Sequence, residues 1–350
     1  MNSQQQLRIV VDAMGGDSAP AREVDGMVQA LRAAHNEFEV ILVGREEAIL
    51  EELKKHRTEG LRFSVVNATE VITMDDSPTA ALKQKRDSSL AVGMRLHQEG
   101  KAEAFISAGN TGAVLSASTL ILGRVRGVSR PTIGTFFPSA TGVCLLVDAG
   151  TNVDCRPQHL YEFGVMGSIY FSKMFRKDRP TVALLNVGEE KSKGNEVVLE
   201  ARKLFEASKL NFIGNVEGRD ILKSTADVVV CDGFVGNIVL KFGESVPVFL
   251  KSRLMRLAEQ SVMKKIIVGL AKSSLKSALG DMDPNEHGGV PVLGVNGVSI
   301  IGHGSSTSKG IKNMILKAAE IAKIQLNKHI EDALANAPLH QPAKPVYQAV

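Results

Sequence analysis

The sequence holds only three cysteines, Cys144, Cys155 and Cys231, and no two stand at CxxC spacing. That excludes a zinc ribbon and a disulfide framework, and describes thiols of a reducing compartment. No apolar run approaches the roughly 18 residues that span a bilayer, so no transmembrane segment is expected. The polar stretch Met1–Gln6 runs into an apolar strand without a signal-peptide core, and a cytoplasmic location follows as the expectation. The basic excess is slight, net charge +4 from 42 Lys+Arg against 38 Asp+Glu. A nucleic-acid partner, which calls for a dense cationic stripe, is not expected. Three signatures are also missing. There is no GxxxxGK[ST] for a P-loop, no GxGxxG after the first strand for a dinucleotide, and no GxSxG elbow for a hydrolase serine. No cofactor is expected. The segment Asp281-Met282-Asp283-Pro284-Asn285-Glu286-His287 carries metal-ligand residue types, but its spacing fits neither an EF-hand nor a helical His pair. It reads as a turn, with no metal.

What is present is a chain of 350 residues, 44% hydrophobic and 23% charged, ample for a sizeable core. Short β-branched runs alternate with helical patterns. Leu7–Val11 precedes Ala21–His35, Val40–Val43 precedes Glu46–His56, and Phe105–Ser107 precedes Ala113–Leu122. Val182–Asn186 then precedes Val197–Ser208, and Val228–Cys231 precedes Ile238–Phe242. This alternation predicts an α/β fold, a three-layer α/β/α sandwich on a mostly parallel sheet, as one domain over residues 1–334. Thr132–Phe137 and Val143–Val147, joined by Pro138–Gly142, break the pattern and predict an antiparallel hairpin. Residues 335–350 carry Pro338, Pro342 and Pro345 without a period and are expected to be a flexible tail.

In an open parallel sheet, ligands collect at the carboxyl ends of the strands. Here those ends are rich in Gly, Asn, Asp and small hydroxyls. They are Asp12-Ala13-Met14-Gly15-Gly16-Asp17, Ser107-Ala108-Gly109-Asn110-Thr111-Gly112, the loop from Asn186 to Asn195, Asp232-Gly233-Phe234-Val235-Gly236-Asn237, and Gly302-His303-Gly304-Ser305-Ser306. Glycine permits close backbone approach, and a helix N-terminus offers free N–H groups, which together suit an anion. Any one of these loops is also an ordinary βα turn. Five of them on one sheet edge favour a phosphate-handling cleft. Lys191 and Lys193, before Gly194 and Asn195, are the best-placed cations, or else solvated loop lysines. His303, between two glycines, is read either as a donor to an oxyanion or as the partner of a backbone carbonyl.

Residues 246–280 read as a protruding amphipathic helical hairpin. Val248, Phe249, Leu250, Leu254, Met255, Leu257, Val262, Met263, Ile266, Ile267, Val268, Leu270 and Leu275 recur at roughly helical spacing. Lys251, Arg253, Arg256, Lys264, Lys265, Lys272 and Lys276 accompany them, with Glu259 the lone acid. Such a segment lies on anionic lipid, docks an acidic protein, or forms a dimer interface.

The strings DAMGGD (Asp12–Asp17), SAGNTGA (Ser107–Ala113), LVDAGTNVDC (Leu146–Cys155), NVGEEKSKGNE (Asn186–Glu196), DVVVCDGFVGN (Asp227–Asn237) and GHGSS (Gly302–Ser306) occur in that order across nearly the whole chain. Together they resemble the acyl-acyl-carrier-protein:phosphate acyltransferase family, the PlsX family of fatty acid and phospholipid synthesis. The resemblance implies a fold like that of the isocitrate/isopropylmalate dehydrogenases and phosphate acetyltransferases. It implies a homodimer, acyl carrier protein and inorganic phosphate as partners, and peripheral association with an anionic membrane. It further implies delivery of the acyl phosphate to a membrane glycerol-3-phosphate acyltransferase. A CoA-dependent phosphate acetyltransferase and a non-catalytic membrane-surface scaffold remain alternatives.

For attack of phosphate on a thioester, the nucleophile is already substantially ionised near neutral pH and the leaving thiolate is competent, so positioning and electrostatics suffice. The expected assignment gives phosphate to Gly15, Gly16, Asn110, Thr111 and Gly112, helped by Lys191, Lys193, Gly194 and Asn195. Gly233, Gly236, Gly304 and Ser305 complete the binding set. His303 and Asn237 are the expected donors to the carbonyl oxygen, and Asp12 and Asp232 the expected orienting acids.

Overall fold

The computed structural model describes residues 7–278, 280, 283 and 285–335. The polar start Met1–Gln6, the expected tail beyond Ala335, and Asp281, Met282 and Pro284 of the expected turn lie outside them, as do the side chains of Lys272, Leu275 and Lys276.

The chain opens with β1 (Arg8–Asp12), α1 (Ala21–Ala33), β2 (Glu39–Gly44), α2 (Glu46–Leu53) and β3 (Phe63–Asn67). Then come α3 (Pro78–Gln84), α4 (Ser89–Gln98), β4 (Ala104–Ser107) and α5 (Thr111–Ala117), which continues as a π-helical turn over Ser118–Leu122. The hairpin β5 (Thr132–Ser139) and β6 (Gly142–Val147) leads into α6 (Pro157–Phe175), β7 (Thr181–Leu185), α7 (Glu196–Glu206), β8 (Asn211–Val216) and β9 (Val228–Val230). The long helices α8 (Gly233–Glu259) and α9 (Val262–Ala278) follow, then β10 (Val290–Leu293), β11 (Val298–Ile301), α10 (Ser308–Lys323) and α11 (Leu326–Ala335).

The eleven strands of the described residues form one sheet in the order β3-β2-β1-β4-β11-β10-β5-β6-β9-β7-β8. Alternate residues sort to its two faces, as a period of two requires. Ile9, Val11, Val40, Leu42, Ala104 and Ile106 join one core with α1, α6 and α10, whereas Val10, Ile41, Val43 and Phe105 join a second with α4 and α5. Both faces are covered, so the strands are continuously apolar. The helices dock by apolar stripes. Val24, Met27, Val28 and Leu31 of α1 are buried, as are Ile311, Met314, Ile315 and Ala318 of α10. Gly26 lets α10 approach, because a Cβ there would stand 2.6 Å from the Ile311 side chain. Each buried Val, Leu, Ile or Met among these contributes about 1.5–3 kcal/mol.

Two expectations need correction. The five loops do not share one sheet edge. β1, β2, β3, β4 and β11 run parallel, but β10 is antiparallel to β11, β5 to β10 and β6 to β5. β9, β7 and β8 then follow β6 in parallel. Three reversals leave β6, β7, β8 and β9 pointing opposite to β1–β4 and β11, so their carboxyl ends open the other way.

The helical hairpin also begins earlier than residue 246. α8 starts at Gly233 and runs 27 residues without a break, through Pro247. Only Gly233 and Gly236 of α8 are buried, and the helix packs on α9. It is the one helix among the described residues long and apolar enough to cross a membrane, although the sequence runs alone suggested none.

Candidate functional site

The first set of strand ends gathers around Asp12. This carboxylate is buried; Oδ2 accepts from Ser107 Oγ at 2.7 Å and Oδ1 from the Met14 N–H at 3.2 Å. Burial pushes its pKa up, opposed by its hydrogen-bond donors. No cation bonds to it among the described residues; what Asp12 orients is the Met14 N–H and the Ser107 hydroxyl. Ser107 Oγ in turn accepts from the Gly109 N–H at 3.0 Å, and Gly15 seats against the same atoms, where a Cβ would stand 2.8 Å from Gly109 N. Gly16 lies against the Glu23 carboxyl, and the Gly304 carbonyl accepts from the Asp17 N–H at 2.8 Å. Arg22 donates to the carbonyls of Ser305 (2.8 Å) and Ser306 (3.0 Å), tying the His303 loop to α1. The structure therefore brings Asp12, Gly15, Gly16, Asn110, Thr111, Gly112, His303, Gly304 and Ser305 to one end of the sheet.

His303 is exposed within this set. Its Nδ1 accepts from the Ser305 N–H at 3.2 Å and lies 2.7 Å from Ser305 Oγ. An accepting Nδ1 places the proton of the neutral ring on Nε2. The ring thus presents a donor outward, and the alternative of a carbonyl partner is not what the loop provides.

The second set is built on Asp148, which is fully buried. Its carboxylate collects four donors: the N–H groups of Gly150 (3.1 Å), Thr151 (2.6 Å) and Asn152 (2.9 Å), and Asn152 Nδ2 (2.8 Å). Burial raises its pKa and these donors oppose the rise. α8 docks end-on here: the Gly233 N–H donates to the Asn152 carbonyl at 2.8 Å. A Cβ on Gly233 would stand 2.7 Å from Asn152 N, and one on Gly236 would overlap the Asp148 carbonyl. Both glycines are required by helix-to-loop packing alone. Asn237 lies against Gly150, so His303 and Asn237 belong to opposite sheet ends and do not address one carbonyl within a chain.

Three expected site residues have a plainer task. Asn110, Asn195 and Asp232 are helix N-caps, accepting from the N–H groups of Ala113 (3.1 Å), Val198 (2.9 Å) and Val235 (2.9 Å). Asn110 Nδ2 also binds the carbonyls of Thr73, Met74 and Asp76. Lys191 and Lys193 are exposed on the loop after β7, Gly194 is the left-handed residue of that loop at φ 113°, and neither ammonium makes an ion pair among the described residues.

The sequence reading passed over a cavity of about 270 Å³ beside the second set. Arg124 and Arg130, from the loop between α5 and β5, line it with Thr119, Ser129, Thr151 and Asn152. The available signal was two arginines six residues apart, flanking Gly127 and followed by Pro131. Glu23 was missed as well. It is 1% exposed, its Oε2 has no hydrogen-bond partner, and burial above all, with Asp12 nearby, raises its pKa to about 7. The described residues contain no cluster of metal-ligating side chains. The basic hairpin residues Lys251, Arg253, Arg256, Lys264 and Lys265 are exposed among equally exposed Val248, Phe249, Met263 and Leu270.

Residues 7–329 match the family described as "Fatty acid synthesis protein". The chain is 47% identical over 338 residues to a phosphate acyltransferase of Chlorobaculum parvum, covering 94% of this chain and 99% of the relative. It is 48% identical over 316 residues to a phosphate acyltransferase of Heliobacterium modesticaldum, covering 90% and 93%. Among solved structures, a phosphotransacetylase from Streptococcus pyogenes superposes with a TM-score of 0.61 at 16% identity, covering 92% of this chain and 95% of that one. A branched-chain phosphotransacylase from Enterococcus faecalis gives 0.56 at 14% identity, covering 91% and 99%. At such identities the superpositions speak to the fold, which is that of the phosphotransacylases.

Proposed function

From the premise that the chain belongs to the fatty acid synthesis protein family, we propose that it transfers a fatty acyl group from acyl carrier protein to inorganic phosphate. Phosphate acyl transfer itself rests on a single observation: near-complete alignment, at 47% identity, with a phosphate acyltransferase. A carrier protein as donor is supported by the hairpin, where exposed apolar residues alternate with Lys251, Arg253, Arg256, Lys264 and Lys265. The same surface suits an anionic membrane, from which a membrane glycerol-3-phosphate acyltransferase would take the product.

A phosphate oxygen attacks the thioester carbonyl carbon, the carbonyl oxygen gains charge, and the C–S bond breaks as the tetrahedral state collapses. The proton of hydrogen phosphate ends on the departing sulfur, giving acyl phosphate and free thiol. His303 Nε2–H is the side-chain donor best presented to an oxyanion at the first set of strand ends; Lys191 and Lys193 after β7 and Asp232 after β9 stand at the opposite end and do not share that site within one chain. Preorganised donors of this kind are worth about 3 kcal/mol each in the transition state.

The test incubates the protein with palmitoyl-acyl carrier protein and phosphate, following thiol release and hydroxamate-trappable acyl phosphate together. Release that requires phosphate and yields trappable product supports the reading. Release without phosphate would make the protein a thioesterase, and activity confined to acetyl-CoA would make it a phosphate acetyltransferase.

A further inference from the structure

We propose that the cavity between the π-helical turn after α5 and the loop after β6 binds the phosphate group of a substrate, held by Arg124 and Arg130. This deepens the reading of phosphate as acyl acceptor and rests on it. It also moves phosphate away from the glycine loops around Gly15 and Asn110 to the sheet end opposite His303, so that phosphate held here and an oxyanion held by His303 are alternatives within one chain.

The cavity, about 270 Å³, is near the small end of ligand sites and ample for a tetrahedral anion. Two guanidinium groups line it, and neither forms an ion pair among the described residues. Arg124 Nη1 donates to the Ser129 carbonyl and Arg130 Nη1 to the Asp154 carbonyl, the latter at 2.9 Å. Backbone carbonyls position these groups without neutralising them, leaving further N–H donors on each.

The acids nearby are already engaged. Glu162 accepts from the Ser129 N–H and Oγ, both at 2.7 Å, and from Gln158 at 3.2 Å. Asp148 is buried beneath its four donors. Their oxygens are thus spent on neutral donors, and neither acid forms a direct ion pair with Arg124 or Arg130 among the described residues. Forked guanidinium donors match phosphate oxygens in pairs, which lysine cannot do.

A second observation is independent of charge. Thr151 lines the cavity, and its Oγ1, screened from solvent, has no hydrogen-bond partner among the described residues. A hydroxyl so placed costs stability unless water or a ligand atom satisfies it. Its loop is rigid: Asp148 holds the Thr151 N–H, and Asn152 Nδ2 bonds the Pro131 carbonyl at 2.9 Å. The cavity thus has one rigid loop as a wall and two guanidinium groups positioned by carbonyls.

The phosphate group has two possible sources, free inorganic phosphate or the phosphate ester on a carrier's thiol-bearing arm. Calorimetric titration of the full-length protein with inorganic phosphate at fixed ionic strength reads the site without turnover. R124Q and R130Q are expected to weaken binding at least tenfold each, T151V severalfold, and R126Q, on the same loop but outside the cavity, less than twofold. R124K and R130K, which keep a donor to the carbonyls, control for folding. In steady state, a raised KM for phosphate with the thioester KM unmoved identifies free phosphate, and the reverse identifies the ester; either supports the site. Unchanged binding and unchanged KM values in folded R124Q and R130Q overturn it. Failure of the carrier thioester to react would sink the donor reading and leave the calorimetric result standing.

Discussion

Replacing Glu23 with glutamine should flatten the pH dependence of stability. The carboxyl sits in the first turn of α1, 1% exposed, against Gly16 and near Asp12, with Oε2 unpartnered. Raising a glutamate from its ordinary 4.5 to about 7 means that the folded chain holds this proton more tightly than the unfolded chain. Over that window the folded state carries more protons, so stability falls as pH rises. The contribution is intact below pH 4.5 and is lost progressively through pH 7, amounting to about 3 kcal/mol. In a chain of this length that corresponds to about 4 °C in melting temperature. E23Q cannot ionise. At pH 5 it should match the parent or melt slightly lower, because the amide brings its own unsatisfied donor. At pH 8 it should melt higher, so that the two profiles cross. Asp12, also raised by burial, leaves a residual slope in both proteins. Differential scanning calorimetry in half-unit steps from pH 5 to 8 measures this, and parallel profiles would refute the assignment of a high-affinity proton to Glu23.

H303A should lower phosphate-dependent thiol release about a hundredfold with the far-UV spectrum unchanged, as expected for loss of one oxyanion donor; an unaltered rate removes His303 from the chemistry. K191A, tested in the same assay, should produce a comparable loss if that ammonium reaches phosphate, and parental turnover would leave it a solvated loop lysine. Charge reversal at Lys264 and Lys265 should reduce flotation on anionic liposomes or affinity for carrier protein, and no change in either makes the hairpin purely structural. G236A should cost about 3 kcal/mol or abolish soluble expression, since the new methyl meets the Asp148 carbonyl; a parental urea midpoint would contradict the tight docking of α8.

The layered fold was legible because both cores repeat along the strands with a period of two and along the helices with their own period. The hairpin Thr132–Val147 was legible too, from its turn residues. A strand that reverses direction carries every strand added to its far side with it, so the loops after β6, β7 and β9 had to open away from those after β1, β4 and β11. Asn110, Asn195 and Asp232 looked chemical because N-caps and anion ligands draw on the same residue types. Arg124 and Arg130 escaped notice for a different reason. They lie on a connection between elements rather than at a strand end, and only the folded chain sets them against Thr151. Pro247 in turn masked the continuity of α8, because a proline ordinarily marks a helix end.

The middle of the sheet is the last part to be synthesised. β4 ends at Ser107, and its partner β11 starts only at Val298, nearly two hundred residues later. Strands β6 to β9, in contrast, are contiguous between Gly142 and Val230 and can pair as they leave the ribosome. During translation the N-terminal strands thus wait with a bare apolar edge at β4, the kind of edge that recruits stray chains. Truncations ending before Ile301 should consequently be insoluble even though they retain most of the hydrophobic core.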